Sequence, residues 1–302
     1  MKLILKGAIA LLLSATLFQS CKKEEKGYVG DYPDKAKLMF VNASLNADTR
    51  PGIGYALREV AIFPYYNGIG YNLYPIKFPW GNGYKVFDPG NLTLRLDTAW
   101  SPGNDPQYDL VNGERKYRDF IKATVKTLNL NLQANSYYTV FAIGNVKSNT
   151  VGSLDTLMVK DNISFPSSPD KVKVRFFNFS NSGPIDVVDV SPITLFTNPN
   201  GVVIYSNLTY ADRSKGYIEI PGRSYDLRIV EAGTNTPIRM AGSGSATGTG
   251  IRDYAKQGMS FDPNSVFTVY ITGFKTQPAP GVNTSQPGQL IDMRYHANRF
   301  SY

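Results

Sequence analysis

Three stretches of this chain occur twice, in the same order and at nearly the same spacing. Lys37-Leu-Met-Phe-Val-Asn42-Ala-Ser44 returns as Lys173-Val-Arg-Phe-Phe-Asn178-Phe-Ser180. Pro89-Gly90 followed by Leu92-Thr-Leu-Arg-Leu96 returns as Pro221-Gly222 followed by Tyr225-Asp-Leu-Arg-Ile229. Asn135-Ser-Tyr-Tyr-Thr-Val-Phe-Ala-Ile-Gly144 returns as Asn264-Ser-Val-Phe-Thr-Val-Tyr-Ile-Thr-Gly273. The offsets are 136, 132–133 and 129 residues, a drift that loop insertions would produce. A repeat of that length points to two copies of one domain, and it removes any fold that needs a single large core.

The patterning inside the copies is that of strands. Short runs rich in Val, Ile, Thr, Tyr and Phe are parted by Gly, Pro, Asn and Asp. They include Lys37–Ala43, Leu92–Leu96, Phe120–Leu130, Tyr137–Ile143, Lys171–Phe179, Val202–Tyr205, Tyr225–Val230, Phe267–Thr272 and Gln289–Tyr295. No segment after residue 21 keeps helical periodicity for three turns. The expected fold is all-β: two tandem antiparallel β-sandwich (Ig-like) domains. Alternation puts Tyr138, Val140 and Ala142, with Phe267, Val269 and Ile271, on the core face. The opposite face is Tyr137, Thr139, Phe141 and Ile143 in one copy and Val266, Thr268, Tyr270 and Thr272 in the other. Its more polar second copy predicts partial exposure to solvent. Pro-Gly before a strand is turn chemistry, with Gly expected to supply the positive φ of a type II turn.

The repeated segments resemble domain-of-unknown-function family 4397, a β-sandwich module of secreted and lipid-anchored bacterial proteins. Asn42-Ala43-Ser44, Pro89-Gly90 and Tyr138-Thr139-Val140-Phe141-Ala142 with Gly144 carry the resemblance. The second copy departs from it at Phe179 and Tyr270-Ile271. The resemblance spans most of residues 37–274 and implies architecture and an extracellular role, with no catalytic residues.

Lys2 and Lys6 precede an apolar stretch of 12 residues, Gly7–Phe18, which ends at Gln19-Ser20-Cys21. A bilayer span needs roughly 20 apolar residues, so the stretch reads as a signal-peptide h-region. A small residue directly before a cysteine resembles a lipobox, although Phe18 stands where an aliphatic residue is usual. Cys21 is the only cysteine, so no internal disulfide is available, and acylation would account for its place. Lys22 and then Lys23, Glu24 and Glu25 resemble the surface-export signal of Gram-negative lipoproteins; a solvated charged tether is the alternative. The expected location is therefore the outer membrane, lipid-anchored and displayed at the cell surface, with the periplasmic face as the other option. The division follows: signal peptide 1–20, lipidated tether 21–36, first sandwich with an aromatic insertion 37–160, Pro/Ser linker 161–170, second sandwich with a C-terminal strand 171–302.

The formal charge of +8 falls to +6 once Lys2 and Lys6 are removed, with 30 basic against 24 acidic residues. Arg115-Lys116-Tyr117-Arg118 is the one local basic cluster. No recognition motif for nucleic acid is present, and none is expected as a partner. The sign suits an anionic polysaccharide or lipopolysaccharide. A single histidine, His296, rules out a multi-histidine metal site, and no nucleophile elbow occurs. Asp186 and Asp189 lie three apart in a strand-like run, which sets them on opposite faces. Asn104–Glu114 offers oxygens for calcium without the EF-hand order, and Gly242–Gly250 lacks the lysine of a phosphate loop. No catalytic residue, cofactor or metal is expected.

Between Tyr55 and Tyr84 the first copy carries aromatics that its sister lacks. Trp80, Trp100, Tyr65, Tyr66, Tyr71 and Tyr74 are the ligand-binding candidates, suited to stacking on sugar or anchoring a protein. Their alternative role is a satellite core. Asp97-Thr98-Ala99 and Asp155-Thr156-Leu157 resemble bacterial O-glycosylation motifs at Thr98 and Thr156. These features imply a non-catalytic binding or adhesion lipoprotein engaging glycan or an outer-membrane protein. A structural spacer or accessory subunit of an outer-membrane assembly, with no ligand of its own, is the alternative.

Overall fold

A computed structural model of the chain describes residues 32–46, 61–70, 83–100, 108–111, 114–117, 121–146, 154–240, 254–273 and 291–299. The first half holds β1 (Ala36–Asn42), β2 (Leu45–Asn46), β3 (Ala61–Tyr66), β4 (Ile69–Gly70), β5 (Lys85–Phe87) and β6 (Gly90–Trp100). It continues with β7 (Tyr108–Val111), β8 (Glu114–Tyr117), β9 (Ile121–Leu132), β10 (Ser136–Ile143), β11 (Asn145–Val146) and β12 (Asp155–Asp161). The second half holds β13 (Lys171–Ser180), β14 (Ile185–Asp189), the short helix α1 (Pro192–Thr197), β15 (Val202–Leu208) and β16 (Ile218–Pro221). It ends with β17 (Arg223–Glu231), β18 (Lys256–Phe261), β19 (Val266–Gly273) and β20 (Asp292–Arg299). The fold is all-β and sandwich-like.

In the first half the sheet β12-β10-β1-β5 faces the sheet β4-β3-β6-β9. Leu38, Phe40, Tyr138 and Val140 from the former meet Ile62, Leu94, Leu96 and Val125 from the latter in one core. In the second half β16-β13-β19-β20 faces β15-β14-β17-β18. Val174, Phe176, Phe267 and Val269 there meet Val187, Tyr205, Leu227 and Ile229. The face expected to be core is core in both halves.

Parallel pairs depart from an all-antiparallel sandwich, the short β2–β11 pair among them. β1 runs parallel to β10, with Leu38 opposite Tyr138 and Phe40 opposite Val140. β13 runs parallel to β19, with Val174 opposite Phe267 and Phe176 opposite Val269. The central pair of each inner sheet is thus parallel, which hairpin connections cannot produce; the chain visits the facing sheet between the two strands.

The repeated polar residues have local structural duties. Asn42 Oδ1 accepts from the Ser44 amide (3.1 Å) and hydroxyl (2.6 Å), and Asn178 Oδ1 does the same for Ser180 (3.0 and 2.6 Å). Each Asn-x-Ser closes its opening strand with a side-chain turn. Asn135 (φ 51°) and Asn264 (φ 55°) take the left-handed conformation just before β10 and β19, which Asn tolerates better than most residues. Gly90 has the positive φ expected of its turn, 114°. Gly222 does not need it. A Cβ there would stand 2.6 Å from Pro263 Cα, so close approach demands glycine in the second half.

The second face of the inner strands is not half-wet, as alternation had suggested. Met39, Val41, Ala43, Phe141, Ile143, Leu157 and Val159 from the first half pack with Phe177, Phe179 and Tyr270 from the second. Phe141 lies at its centre, with ring centroids 5.5 Å from Phe177, 5.2 Å from Phe179 and 5.9 Å from Tyr270. Thr268 and Thr272 are buried on this face as well, and Thr272 Oγ1 donates to the Ala43 carbonyl (3.1 Å). The two inner sheets therefore pack back to back, and four sheets form one stack. A smaller cluster of Val188, Val190, Val230 and Ala255 lies under Leu195 of α1, whose Ile193 and Phe196 project outward at 68% and 91% exposure.

Residues 161–170 are pinned rather than a free linker. Lys173 Nζ donates to the Ser164 carbonyl (3.1 Å) and hydroxyl (2.6 Å), the Ser167 amide donates to Glu219 (2.9 Å), and Arg299 donates to the Ile163 carbonyl (3.2 Å). Phe141→Ala empties the shared core and is expected to cost about 3–5 kcal/mol. Calorimetry should show the whole molecule melting earlier in one transition; a shift confined to one of two separate transitions would mean that the halves unfold independently.

Candidate functional site

Where the inner sheets meet, the apolar packing gives way to a buried polar ring. Asp161, the last residue of β12, pairs with Arg175 of β13, and their side chains are 0% and 4% exposed. Arg175 Nε donates to Thr268 Oγ1 (2.9 Å), Thr268 Oγ1 donates to Asn298 Oδ1 (2.6 Å), and Asn298 Nδ2 donates to the Tyr84 hydroxyl (2.9 Å). Tyr84 closes the circuit by donating to Asp161 Oδ2 (2.7 Å), which also accepts from Thr139 Oγ1 (2.7 Å). The circuit crosses twice between the halves. Each charge has a partner and each hydroxyl both gives and receives or gives to a carboxylate, so burial here is affordable. Burial, then the Asp161 charge, hold the Tyr84 phenol well above its usual range. Burial opposes the charge on Arg175, but Asp161 outweighs it and raises the guanidinium pKa.

His296 stands beside this ring against Phe141 (6.1 Å) and Tyr270 (6.0 Å). Its Nδ1 is buried with no hydrogen-bond partner, and burial with the nearby Arg175 charge pushes its pKa down to about 3. It is a neutral ring at the edge of the shared core.

Outside the ring a cleft of about 460 Å³ opens between the halves. Met158, Val159, Lys160 and Asn162 line it from the first half; Lys173, Arg175, Phe177, Arg213, Lys215, Gly216 and Tyr217 line it from the second. Five lining residues are basic and none is acidic. The Arg175 guanidinium lies 4.7 Å from the Tyr217 ring centroid and 5.1 Å from that of Phe177. Tyr205, rooted in the second core, donates to the Gly216 carbonyl (2.8 Å) and so holds the segment carrying Arg213, Lys215 and Tyr217. The Tyr217 hydroxyl is buried on the side of Thr268 and the polar ring, and burial raises its pKa.

The structure distributes the sequence candidates differently. Tyr66 is a core residue, 1% exposed and 5.0 Å from the Phe87 ring, because β3 points it inward; it offers no ligand surface. Tyr65 is half-buried under the Arg95 guanidinium, 4.4 Å from its ring centroid. Tyr84, from the same aromatic run, closes the polar ring. Tyr71, Tyr74 and Trp80 lie outside the described residues, as do Cys21, Lys23, Glu24 and Glu25, the glycine-rich Gly242–Gly250 and most of Asn104–Glu114. Thr98 and Trp100 fall on β6, and their side chains lie outside the description. Thr156 sits half-exposed on β12, an edge strand.

The carboxylates weighed for acid–base chemistry have structural partners. Asp186 accepts from the amides of Asn207 (2.7 Å) and Gly233 (2.9 Å). Asp189 accepts from the Ser191 amide (3.0 Å) and from Arg223 Nη2 (2.6 Å) at the start of α1. Among the described residues no three His, Cys, Asp or Glu side chains cluster as a metal site. No helix among them is long and apolar enough to cross a membrane.

Residues 73–188 match the family "Domain of unknown function (DUF4397)". That span supports the family resemblance over less than half of the chain; it is narrower than 37–274 and crosses residues 161–170. No curated protein matches the sequence. A solved structure of a proposed cell-adhesion protein from Parabacteroides distasonis is similar at 9% identity and a TM-score of 0.19, covering 87% of this chain and 99% of that one. A likeness of that degree carries no functional argument.

The ring and His296 generate two predictions. Asp161→Ala leaves Arg175 buried and unpaired and is expected to cost about 3–5 kcal/mol in denaturant melts, whereas Asp161→Leu with Arg175→Met recovers most of the loss. A double variant as unstable as the single one would show that the charge is not the cause. For His296, the folded pKa of about 3 lies below the ordinary 6.5, so the unfolded chain takes up the proton first as pH falls. The stability carried by the neutral ring is complete above pH 6.5 and is lost toward pH 3, at about 1.4 kcal/mol per pH unit. His296→Phe should give a shallower decline of melting temperature between pH 7 and 4; superimposable declines would exclude His296 as the source.

Proposed function

We propose that the protein is a lipid-anchored, non-catalytic binding module at the cell surface, with glycan or a protein partner seated in the cleft between its two halves. The cleft carries the proposal. It joins the half-buried Tyr217 ring to converging basic groups at a volume of about 460 Å³, within the range usual for small-ligand sites. Structural hydrogen bonds on Asp161, Asp186 and Asp189 support the non-catalytic reading. Acylation of Cys21 supplies the anchor in this reading, and Lys23, Glu24 and Glu25 direct it outward. The matching registers of β1–β10 and β13–β19 support descent of the two halves from one duplicated unit.

A spacer role is the second reading, and the shared core favours it. Back-to-back packing around Phe141 turns two sandwiches into one stack that could hold a partner at a set distance from the membrane.

Two measurements test the proposal. Cys21→Ala should move the protein from the membrane to the soluble fraction and abolish palmitate labelling; labelling that persists would refute the anchor. Glycan-array and surface-capture binding by the parent, lost when bulky substitutions such as Gly216→Trp fill the cleft, supports the module. A folded parent with no ligand in either format would leave the spacer.

A further inference from the structure

We propose that the cleft takes an acidic saccharide, a sugar bearing carboxylate, through Lys160, Lys173, Arg213 and Lys215. This rests on the cleft being the binding site. The four cations come from β12, β13 and the segment before β16, so the fold gathers like charges from three separate segments. The fifth, Arg175, is neutralised by Asp161 at the cleft floor. Among the described residues none of the four makes an ion pair. Lys160 Nζ donates to Gln133 Oε1 (3.1 Å), and Lys173 Nζ rests on Ser164. The acids beside the cleft are already engaged: Asp212 accepts from the Ser214 amide (2.8 Å) and hydroxyl (2.6 Å), and Glu219 accepts from Ser167. Asp212 and Glu219 feel the charges of Lys215 and Lys173 from the rim, but no carboxylate among the described residues is bonded to any of the four, so an anion would gain charge-assisted hydrogen bonds without displacing one.

The half-buried Tyr217 ring, with Arg175 over it, gives the cleft an aromatic wall against which a sugar ring can stack. A bare phosphate would use the cations and leave that wall idle, so a charged sugar accounts for both.

Calorimetric titration of the purified full chain with trigalacturonate, galactotriose and inorganic phosphate tests the assignment. Trigalacturonate should bind at least tenfold more tightly than either of the others, and its affinity should fall as salt is raised. Arg213→Ala with Lys215→Ala should lower that affinity about tenfold at unchanged melting temperature. Tyr217→Ala should lower it about fivefold, while Tyr217→Phe, which keeps the ring, should retain it. Equal binding of galactotriose overturns the charge assignment but leaves the cleft as a binding site. Phosphate as tight as trigalacturonate overturns the saccharide, and absence of binding by all three overturns the inference. Glycan-array binding that the cleft-filling Gly216→Trp abolishes would still uphold the module.

Discussion

Back-to-back packing of the two inner sheets organises everything else in this molecule. Strands β1, β10, β13 and β19 are buried on both faces, one toward their own sandwich and one toward the other half. Phe141 and Tyr270, which a lone sandwich would expose to water, become the middle of a shared core. Burying a ring of that size is worth roughly 1.5–3 kcal/mol in transfer terms, so such contacts couple the stability of one half to that of the other. The short connection between halves, tied down through Ser164 and Ser167, follows from that packing and does not create it.

The polar ring sets the register of the two halves. Apolar faces can slide over one another at little cost, but a misaligned Asp161–Arg175 pair would leave charges buried without partners. Thr268, Asn298 and Tyr84 extend the same constraint across the interface. Alignment at this point places β12 beside the Arg213–Tyr217 segment, and the basic cleft is the space between them. The candidate site is thus a product of the interface rather than of either sandwich.

Much of the fold was legible in the residues. The strand runs, the core faces of β10 and β19, and the turn-forming asparagines were all visible as alternation and punctuation. Misjudged features share a cause. Thr268 and Thr272 looked solvent-facing because polarity usually marks water, yet one accepts from a buried guanidinium and the other bonds a carbonyl across the interface. Tyr66 looked like a ligand platform because aromatic loops often are, whereas strand alternation turned it into the core. The cleft escaped notice because its basic residues are dispersed along the chain. Only Arg213-Ser-Lys215-Gly-Tyr217 hinted at it, as two cations and an aromatic within five residues.

Sequence by itself determined the class of structure, since side-chain period and turn chemistry act within a few residues and survive in any context. It also set the repeated local motifs, Asn42 with Ser44 and Asn178 with Ser180, whose hydrogen bonds span two residues. Tertiary structure alone decided that the inner strands have no wet face, that Asp161 meets Arg175, and that the cations meet around a cleft. Those outcomes depend on groups far apart in the chain, from Tyr84 to Asn298, and no local pattern encodes which distant face will cover a strand.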